Sequence, residues 1–385
     1  MIVGLLSTVI LMQCFLIAYP IIERKLRQRT VMLRVEDAAS IKSAVALAGR
    51  RMLSSRRVTM SFNDDESLYA LLAKLKNRVL GRRTHHAYAY YNFPFAFLLN
   101  GLLDYSVATG DSDVLKRVES KSKEFIDEAG VLKFPIDKLD QATFGLMFLT
   151  LFELTKDDRY LTGARRIFEE MQAFKGEDGL YRYRIGLNVF FIDTVGLLCP
   201  FLVRYSQVAG VPIAMADAEA QVKFALANCV EPSKGLAIHA YDLASEQALG
   251  SVNWARGMGW LTLGLSVVAR EARDPALMEA MRRYADILGD LREPYGYWPQ
   301  FLGHTNDRQI DSSGTLMFLH AFQQCGIWNI DGAEVKSLAA LCVDRRGRVV
   351  QSSGDTIYIN KYSRLKGPSE LSQGLMLSLL SGLKP

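Results

Sequence analysis

Cysteine is scarce in this 385-residue chain and shows no pairing pattern. The five cysteines have neither a CxxC motif nor the spacing of a metal site; they are Cys14, Cys199, Cys229, Cys325 and Cys342. An odd, scattered set argues against a disulfide framework and against a structural zinc site. The sequence also has no glycine-rich phosphate loop and no nucleophile elbow. We therefore expect neither a metal nor a cofactor.

Most of the chain has no surplus of positive charge, although the net charge is +5. Residues 23–57 hold ten Lys or Arg and three acidic residues, a net charge of +7, which leaves about −2 for the remainder. A nucleic-acid-binding protein would carry its basic surplus across the folded domain. We therefore expect no nucleic-acid partner, and the position of the surplus indicates a membrane surface.

The basic stretch follows an uncharged apolar run over residues 2–22, which is long enough to span a bilayer. A secretory signal would carry its positive residues before the apolar run, so an uncleaved anchor is favoured. The sequence predicts a transmembrane anchor over residues 1–22, a basic juxtamembrane connector over 23–65 and a folded domain over 66–385. The positive-inside rule predicts a single-pass protein of the bacterial inner membrane, with its domain in the cytoplasm.

Strand signals are sparse, while helical periodicity is frequent, so the fold class is all-α. Apolar helices rich in small residues recur about every 50–60 residues, the period of a helical-hairpin array. They begin near Tyr91, Asp140, Asp193, Trp254, Asp311 and Pro368. Amphipathic helices follow at about 113–128, 158–173, 213–229, 275–290 and 331–342, and residues 66–79 can supply a sixth. Helices that are apolar all round are buried and one-sided helices cover them, which predicts an (α/α)6 toroid of six helical hairpins.

In such a ring the inner helices share one direction, so their N-termini meet at one rim. Asp140, Asp193 and Asp311 fall at these N-termini. Aspartate is a preferred N-cap, and simple capping is the favoured interpretation for Asp311, which is also a candidate for substrate binding. The neighbours of Asp140 and Asp193 are almost wholly apolar. Such surroundings raise the pKa of a carboxyl, which suits a proton donor near neutral pH.

Residues 252–265 (VNWARGMGWLTLGL) place two tryptophans and an arginine at the same rim. Trp254 and Trp260 can face a sugar ring and Arg256 can bind an anion, although a core tryptophan pair with a snorkelling arginine is an equally simple alternative. The preceding GLAIHAYD places His239 there, either as a ligand contact or as a structural histidine. Tyr91 and Trp298, in lead-ins to two other inner helices, are further candidates for substrate binding.

Six ordered motifs over about residues 88–383 resemble the unsaturated glucuronyl and rhamnogalacturonyl hydrolases, glycoside hydrolase families 88 and 105. They read LDQATFG, FIDTVGLLCPFLVRY, GLAIHAYD, NWARGMGW, DSSGTLMF and LAALCVDRRGRVVQSSG…GPSELSQG. The resemblance implies the same six-hairpin fold. It also implies removal of a terminal Δ4,5-unsaturated uronic acid from an acidic oligosaccharide.

In the implied reaction a general acid protonates C4 of the double bond, water adds at C5, and the hemiketal opens. Asp193 matches the family's general acid and Asp140 its partner carboxylate. His239, Trp254, Arg256 and Trp260 match its substrate-contacting residues. Two alternatives remain open: a non-catalytic glycan-binding component of an exopolysaccharide assembly system, and a helical scaffold. Paired carboxylates beside a histidine and an arginine favour catalysis.

Overall fold

The computed structural model describes residues 11–15, 32–33, 37–55, 90–304, 308–356, 359–363 and 365–383. Over these residues the chain is mainly helical, with inner and outer helices alternating along it. The inner helices are α2 (Phe93–Thr109), α4 (Thr143–Thr155), α6 (Asp193–Ala209), α8 (Ala255–Ala272), α10 (Ser312–Gln324) and α12 (Glu370–Ser381). The outer helices are α1 (Ala38–Leu53), α3 (Ser112–Ser122), α5 (Asp158–Met171), α7 (Pro212–Asn228), α9 (Pro275–Asp290) and α11 (Gly332–Cys342).

The inner helices form a closed ring. Each packs against the next one along the chain, and α12 packs against α2. Two contacts of the ring require glycine: a Cβ on Gly374 would lie 2.1 Å from the carbonyl oxygen of Phe97, and one on Gly264 would lie 2.1 Å from that of Val195. No side-chain atom fits at such a distance, so these glycines allow α12 to approach α2 and α8 to approach α6. The expected all-α toroid is thus present in the described residues.

The outer helices begin where the sequence supplies caps. Asp111, Asp157, Asp274 and Asp331 each accept a hydrogen bond from a backbone N–H in the first turn of the helix that follows. The amphipathic α5 and α9 bury one face each, led by Tyr160 and Met281. The inner helices, by contrast, are apolar on most sides and fill the core between the two layers.

The expected connector over residues 23–65 is wrong in its middle part. Residues 38–53 form α1, which packs against α12, α2 and α11 and buries Ile41, Val45 and Met52. This helix takes the outer place predicted for residues 66–79, which lie outside the described residues. Arg50 on α1 also forms an ion pair with Asp111. Part of the basic surplus therefore belongs to the toroid.

Within the described residues, no helix is both long enough and apolar enough to cross a membrane. Only residues 11–15 of the predicted span over residues 2–22 fall in that part of the chain.

Short strands border one end of the ring. β1 (Val189–Phe191), β2 (Ala240–Asp242) and β3 (Gln247–Leu249) form an antiparallel sheet, with Phe191 opposite Ala240 and Ala240 opposite Leu249. β4 (Ser352–Ser353) pairs with β5 (Lys366–Gly367). A cavity of about 770 Å3 runs along the inner helices toward their C-terminal ends, and its lining also includes Thr143 at the start of α4 and Gly196 in the first turn of α6. Its mouth carries polar side chains that bond to one another, such as Gln207 to Glu271 at 2.7 Å.

Candidate active site

Most of the predicted site residues lie at the N-terminal ends of the inner helices. Asp193 is the first residue of α6. Helix α8 begins directly after Trp254, and Arg256 is its second residue. Asp140 lies in a 3-10 turn, Leu139–Ala142, that leads into α4. Asp311 immediately precedes α10. The shared rim follows from the parallel arrangement of the inner helices.

The Asp193 carboxyl is largely buried and caps no helix, since α6 has no side-chain cap. Burial raises its pKa from near 3.8 to about 7; the Arg256 charge opposes this rise, and the Trp260 indole opposes it further. Asp193 Oδ2 has no hydrogen-bond partner of good geometry among the described residues, and His239 Nε2 lies 3.5 Å away. A buried acid that holds its proton near pH 7 suits general acid catalysis.

Asp140 is fully buried and also does not act as a cap. Its Oδ2 accepts a hydrogen bond from the Tyr183 hydroxyl at 2.7 Å and lies 3.2 Å from Lys138 Nζ. Burial raises the pKa of Asp140, and the Lys138 charge and the Tyr183 hydrogen bond oppose that rise. Asp140 Oδ1 has no partner among the described residues. Because buried polar atoms are nearly always paired, this oxygen is available to a ligand hydroxyl.

His239 lies between the Asp193 segment and Trp254. Its carbonyl oxygen accepts a hydrogen bond from the Ile192 N–H at 3.0 Å, and its ring centroid lies 4.6 Å from that of Trp254. Burial lowers the pKa of His239 to about 4, and the nearby Arg256 charge contributes to the shift. The imidazole is therefore neutral at pH 7.

Trp254, Arg256 and Trp260 are buried side chains, and both Arg256 and Trp260 act on the Asp193 carboxyl. The Trp260 ring lies 5.5 Å from Phe93 and 5.8 Å from Phe97, and the Arg256 guanidinium lies 5.3 Å from the Trp254 ring. Trp254 Nε1 has no hydrogen-bond partner among the described residues. Trp254 contacts His239 and Trp260 acts on Asp193, so both tryptophans belong to the core and also border the site, and their contact with a sugar stays a prediction.

A C-terminal loop, residues 351–356 and 359–363, crosses the same rim. Arg256 donates to the carbonyl oxygens of Ser353 at 3.1 Å and Gly354 at 2.5 Å. Asp311 accepts from Ser353 through its backbone N–H at 3.2 Å and its hydroxyl at 2.6 Å. Asp311 also caps α10 by accepting from the Ser313 N–H at 3.0 Å and hydroxyl at 2.6 Å. Its oxygens are thus occupied, which corrects the prediction that Asp311 binds substrate.

Two residues of the C-terminal loop reach the site without being predicted there. The Tyr362 hydroxyl lies 2.9 Å from His239 Nδ1, and its ring packs 5.2 Å from Trp254. The negative charge of Asp355 adds to the effect of burial in raising the pKa of both Asp140 and Asp193. The sequence marks this region only through its QSSG motif, and no spacing indicates which of its residues contacts His239.

Trp298 was predicted at the site and is instead part of the core. It is fully buried, donates from Nε1 to the Leu288 carbonyl oxygen at 2.8 Å and stacks on Trp328 at 5.8 Å. With its one polar group satisfied, it offers nothing to a ligand, which corrects that prediction. Tyr91 is half-buried just before α2, and its ring stacks on that of Phe134 at 5.0 Å. Its contact with substrate stays a prediction.

Over the described ranges, no group of three or more His, Cys, Asp or Glu residues is arranged to hold a metal ion. The chemistry available there is that of two buried carboxyls, a neutral imidazole, indoles and a guanidinium.

Comparison with known proteins identifies the family. Residues 73–338, more than half of the chain, match Glycosyl Hydrolase Family 88. The chain belongs to this family. Asp140, Asp193, His239 and the Trp254–Trp260 segment all fall within the matched residues, whereas the C-terminal loop lies beyond them. The family 88 chain is therefore a glycoside hydrolase of the unsaturated uronyl type.

Relatives of this family 88 chain agree with the fold. It is 24% identical over 282 residues to the unsaturated rhamnogalacturonyl hydrolase YesR of Bacillus subtilis, covering 67% of the chain and 80% of that protein. A possible family 105 member from Klebsiella pneumoniae superposes with a TM-score of 0.73 at 14% identity, over 91% of this chain and 94% of that one. The structure of an unsaturated glucuronyl hydrolase specific for heparin superposes with a TM-score of 0.65 at 15% identity, over 89% of this chain and 96% of that one.

The pKa of Asp193 predicts how Asp193→Asn changes stability with pH. Because the pKa of Asp193 is raised in the folded state, its bound proton stabilises the fold. This contribution to stability is fully present below the unfolded-state pKa near 3.8 and is lost as pH rises through about 7. Asparagine does not ionise. The free energy of unfolding of the Asp193→Asn variant, minus that of the wild-type protein, should therefore increase by up to about 2–3 kcal/mol between about pH 5 and pH 8.

Urea unfolding of both proteins across that range measures this difference. The depressed pKa of His239 acts with the opposite sign, losing stability as pH falls through about 4, but it is shared by both proteins and cancels. A difference that stays constant with pH would mean that Asp193 is ionised at an ordinary pKa.

Proposed function

We propose that this enzyme removes a terminal Δ4,5-unsaturated uronic acid from an acidic oligosaccharide by protonating C4 and hydrating C5. The observation that carries the proposal is the buried Asp193 carboxyl, whose burial raises its pKa to about 7. Two similar proteins support this substrate class. One is an unsaturated rhamnogalacturonyl hydrolase, and the other is an unsaturated glucuronyl hydrolase specific for heparin.

The chemistry begins with the proton on Asp193. Transfer of that proton to C4 of the enol ether leaves positive charge shared between C5 and the ring oxygen, and water then adds at C5. The Asp193 carboxylate takes the proton that this water releases, so the residue acts first as acid and then as base. The resulting hemiketal opens and releases the remaining sugar. Ordinary glycosidases instead use paired carboxylates at the anomeric carbon.

Asp140 has a different role in this proposal. One of its oxygens accepts from Tyr183 and faces Lys138, while Oδ1 has no partner among the described residues. We assign Oδ1 to a hydroxyl of the unsaturated sugar, which holds C4 near Asp193. The negative charge that adds to burial in favouring the protonated form of Asp193 is that of Asp355 on the C-terminal loop.

The charged and aromatic residues around the carboxyls serve binding. Arg256 uses two guanidinium N–H groups on the C-terminal loop, and its remaining donors suit the uronate carboxylate. Trp254 and Trp260 provide faces for the sugar ring, and His239 and Tyr91 complete the set of proposed contacts. The alternative, a glycan-holding component of exopolysaccharide assembly, needs the aromatic residues but not a carboxyl kept neutral by burial.

Asp193→Asn separates catalysis from glycan holding. The amide preserves shape but cannot deliver a proton, so turnover should fall by roughly 10²–10⁴-fold while ligand affinity changes little. The measurement is loss of the ultraviolet absorbance of the double bond, using lyase-generated unsaturated disaccharides from several polysaccharides. Asp274→Asn is the matched control, because Asp274 caps the outer helix α9 and asparagine caps about as well.

Wild-type turnover by an Asp193→Asn protein that unfolds normally would end the assignment of Asp193. Tight binding of these sugars by the wild-type protein without any turnover would favour the glycan-holding alternative.

We also propose that residues 2–22 anchor the enzyme in the bacterial inner membrane with the domain in the cytoplasm. The run is uncharged and the net charge of +7 over residues 23–57 follows it. The full-length protein should remain in the membrane fraction after high-salt and carbonate washing, whereas deletion of residues 1–30, which ends before α1, should release a folded domain. Extraction of the intact protein by salt alone would contradict the anchor, and a periplasmic signal from a C-terminal reporter would contradict the orientation.

A further inference from the structure

The Nδ1 atom of His239 faces two oxygens of the C-terminal loop. The carbonyl oxygen of Ile359 is 3.0 Å away and the Tyr362 hydroxyl is 2.9 Å away. On the other side of the ring, Nε2 is 3.5 Å from Asp193 Oδ2. The imidazole therefore links the proposed acid to a part of the chain that lies beyond the residues matching family 88.

The two oxygens have different hydrogen-bonding abilities. A carbonyl oxygen only accepts, so Ile359 bonds to Nδ1 only when that nitrogen carries the proton. A hydroxyl can also donate, so Tyr362 bonds to Nδ1 when the nitrogen is bare. The Tyr362 oxygen already accepts from the Ser251 N–H at 3.0 Å, which leaves its own proton directed elsewhere. Burial raises the pKa of Tyr362 to about 12, so this proton is retained at neutral pH.

We propose that His239 exchanges one neutral tautomer for the other as Asp193 loses and regains its proton, and that Tyr362 is the positioning residue that makes the exchange possible. The inference rests on the proposed role of Asp193 as the acid. It assigns to Tyr362 a function in the reaction that goes beyond packing against Trp254.

Before proton transfer, Nδ1–H donates to Ile359 and the bare Nε2 accepts from protonated Asp193. After transfer, Nε2 carries the proton and donates to the Asp193 carboxylate, while the Tyr362 hydroxyl donates to the bare Nδ1. The ring releases one proton from Nδ1 to water and gains one from water at Nε2, so it stays neutral. Burial, which lowers the pKa of His239 to about 4, excludes the doubly protonated ring at neutral pH.

The other charged groups around Asp193 do not replace this exchange. Arg256 on α8 and Asp355 on the C-terminal loop act on the Asp193 pKa through their charges, in opposite directions. Asp140, facing Lys138, belongs to the segment before α4. The Trp260 indole also acts on Asp193, but an indole N–H can only donate, whereas the His239 imidazole can accept from the acid and donate to its conjugate base.

Nitrogen-15 NMR of histidine-labelled, ligand-free protein tests the proposal directly. The chain has five histidines, and the His239→Gln variant assigns the signals of His239. The proton should reside on Nδ1 well below pH 7 and on Nε2 well above it, with a midpoint near the Asp193 pKa of about 7. Asp193→Asn, whose amide can donate to Nε2 at every pH, should keep the Nδ1–H form throughout. One unchanged tautomer in the wild-type protein over this range would overturn the proposal.

Tyr362→Phe adds a kinetic test. Loss of the hydroxyl removes the donor to bare Nδ1, so His239 should stay Nδ1–H at alkaline pH. The Asp193 carboxylate then loses the hydrogen bond that His239 Nε2–H would donate. The alkaline limb of the pH–rate profile should move upward by up to about one pH unit, and kcat should fall by up to about tenfold. Tyr181→Phe is the control, because it also removes a buried hydroxyl. That hydroxyl donates to Asp217 at 2.9 Å and has no contact with His239 or Asp193.

A Tyr362→Phe protein with the wild-type tautomer change and the wild-type pH profile would contradict the role of Tyr362. The NMR experiment needs no substrate, so failure of the tautomer proposal is distinguishable from failure of the proposed activity. If the tautomers exchange as expected but unsaturated disaccharides are not consumed, the proposed function fails while the assignment of Tyr362 stands.

Discussion

The contact between the first and last inner helices is the constraint on which the rest of the molecule depends. Gly374 on α12 lies against the carbonyl of Phe97 on α2, at a separation that leaves no room for a Cβ. This contact closes the ring. It also fixes the segment just before α12, so the C-terminal loop is held across the rim where the inner helices begin. Arg256, Asp311 and His239 then bond to that loop.

Closure has an electrostatic consequence at Asp193. The loop and the surrounding aromatic side chains remove water from the carboxyl, and burial outweighs the attraction of Arg256, so the pKa is raised to about 7. The same burial keeps His239 neutral. A neutral acid and a neutral imidazole thus lie side by side in a site that also contains the charges of Arg256 and Asp355. This pairing suits protonation of a carbon–carbon double bond, which needs an acid but no nucleophilic carboxylate.

The helical layers could be predicted from sequence because their signals are local. The inner helices begin within three residues of the predicted starts, for example at Asp193 itself and at Ala255 beside Trp254. The outer helix α1 was missed because its basic flanks resemble a membrane connector, although Ile41, Val45 and Met52 already follow helical spacing. At the site, Asp193 and Asp140 are distinguished by apolar neighbours, whereas Asp311 is a cap, as its sequence context favoured.

Contacts between distant parts of the chain could not be predicted in the same way. Tyr362 reaches His239 across 123 positions, and Trp298 turns into the core to satisfy its N–H on Leu288. Neither outcome is encoded in residue spacing, because each depends on how the ring closes. Residues 73–338 match the family, so Tyr362 lies beyond them, and the sequence motifs reach its loop only through QSSG, which does not include Tyr362.

The central claim is that the reaction begins with proton delivery to C4 of an unsaturated uronic acid. Hydrolysis of an unsaturated disaccharide in deuterium oxide, followed by NMR of the released uronate at early times, measures this most directly. The account predicts one deuterium at C4, delivered to a single face of the ring, because one fixed carboxyl supplies it. Release of the sugar with no deuterium at C4 would contradict the account and indicate attack at the anomeric carbon instead.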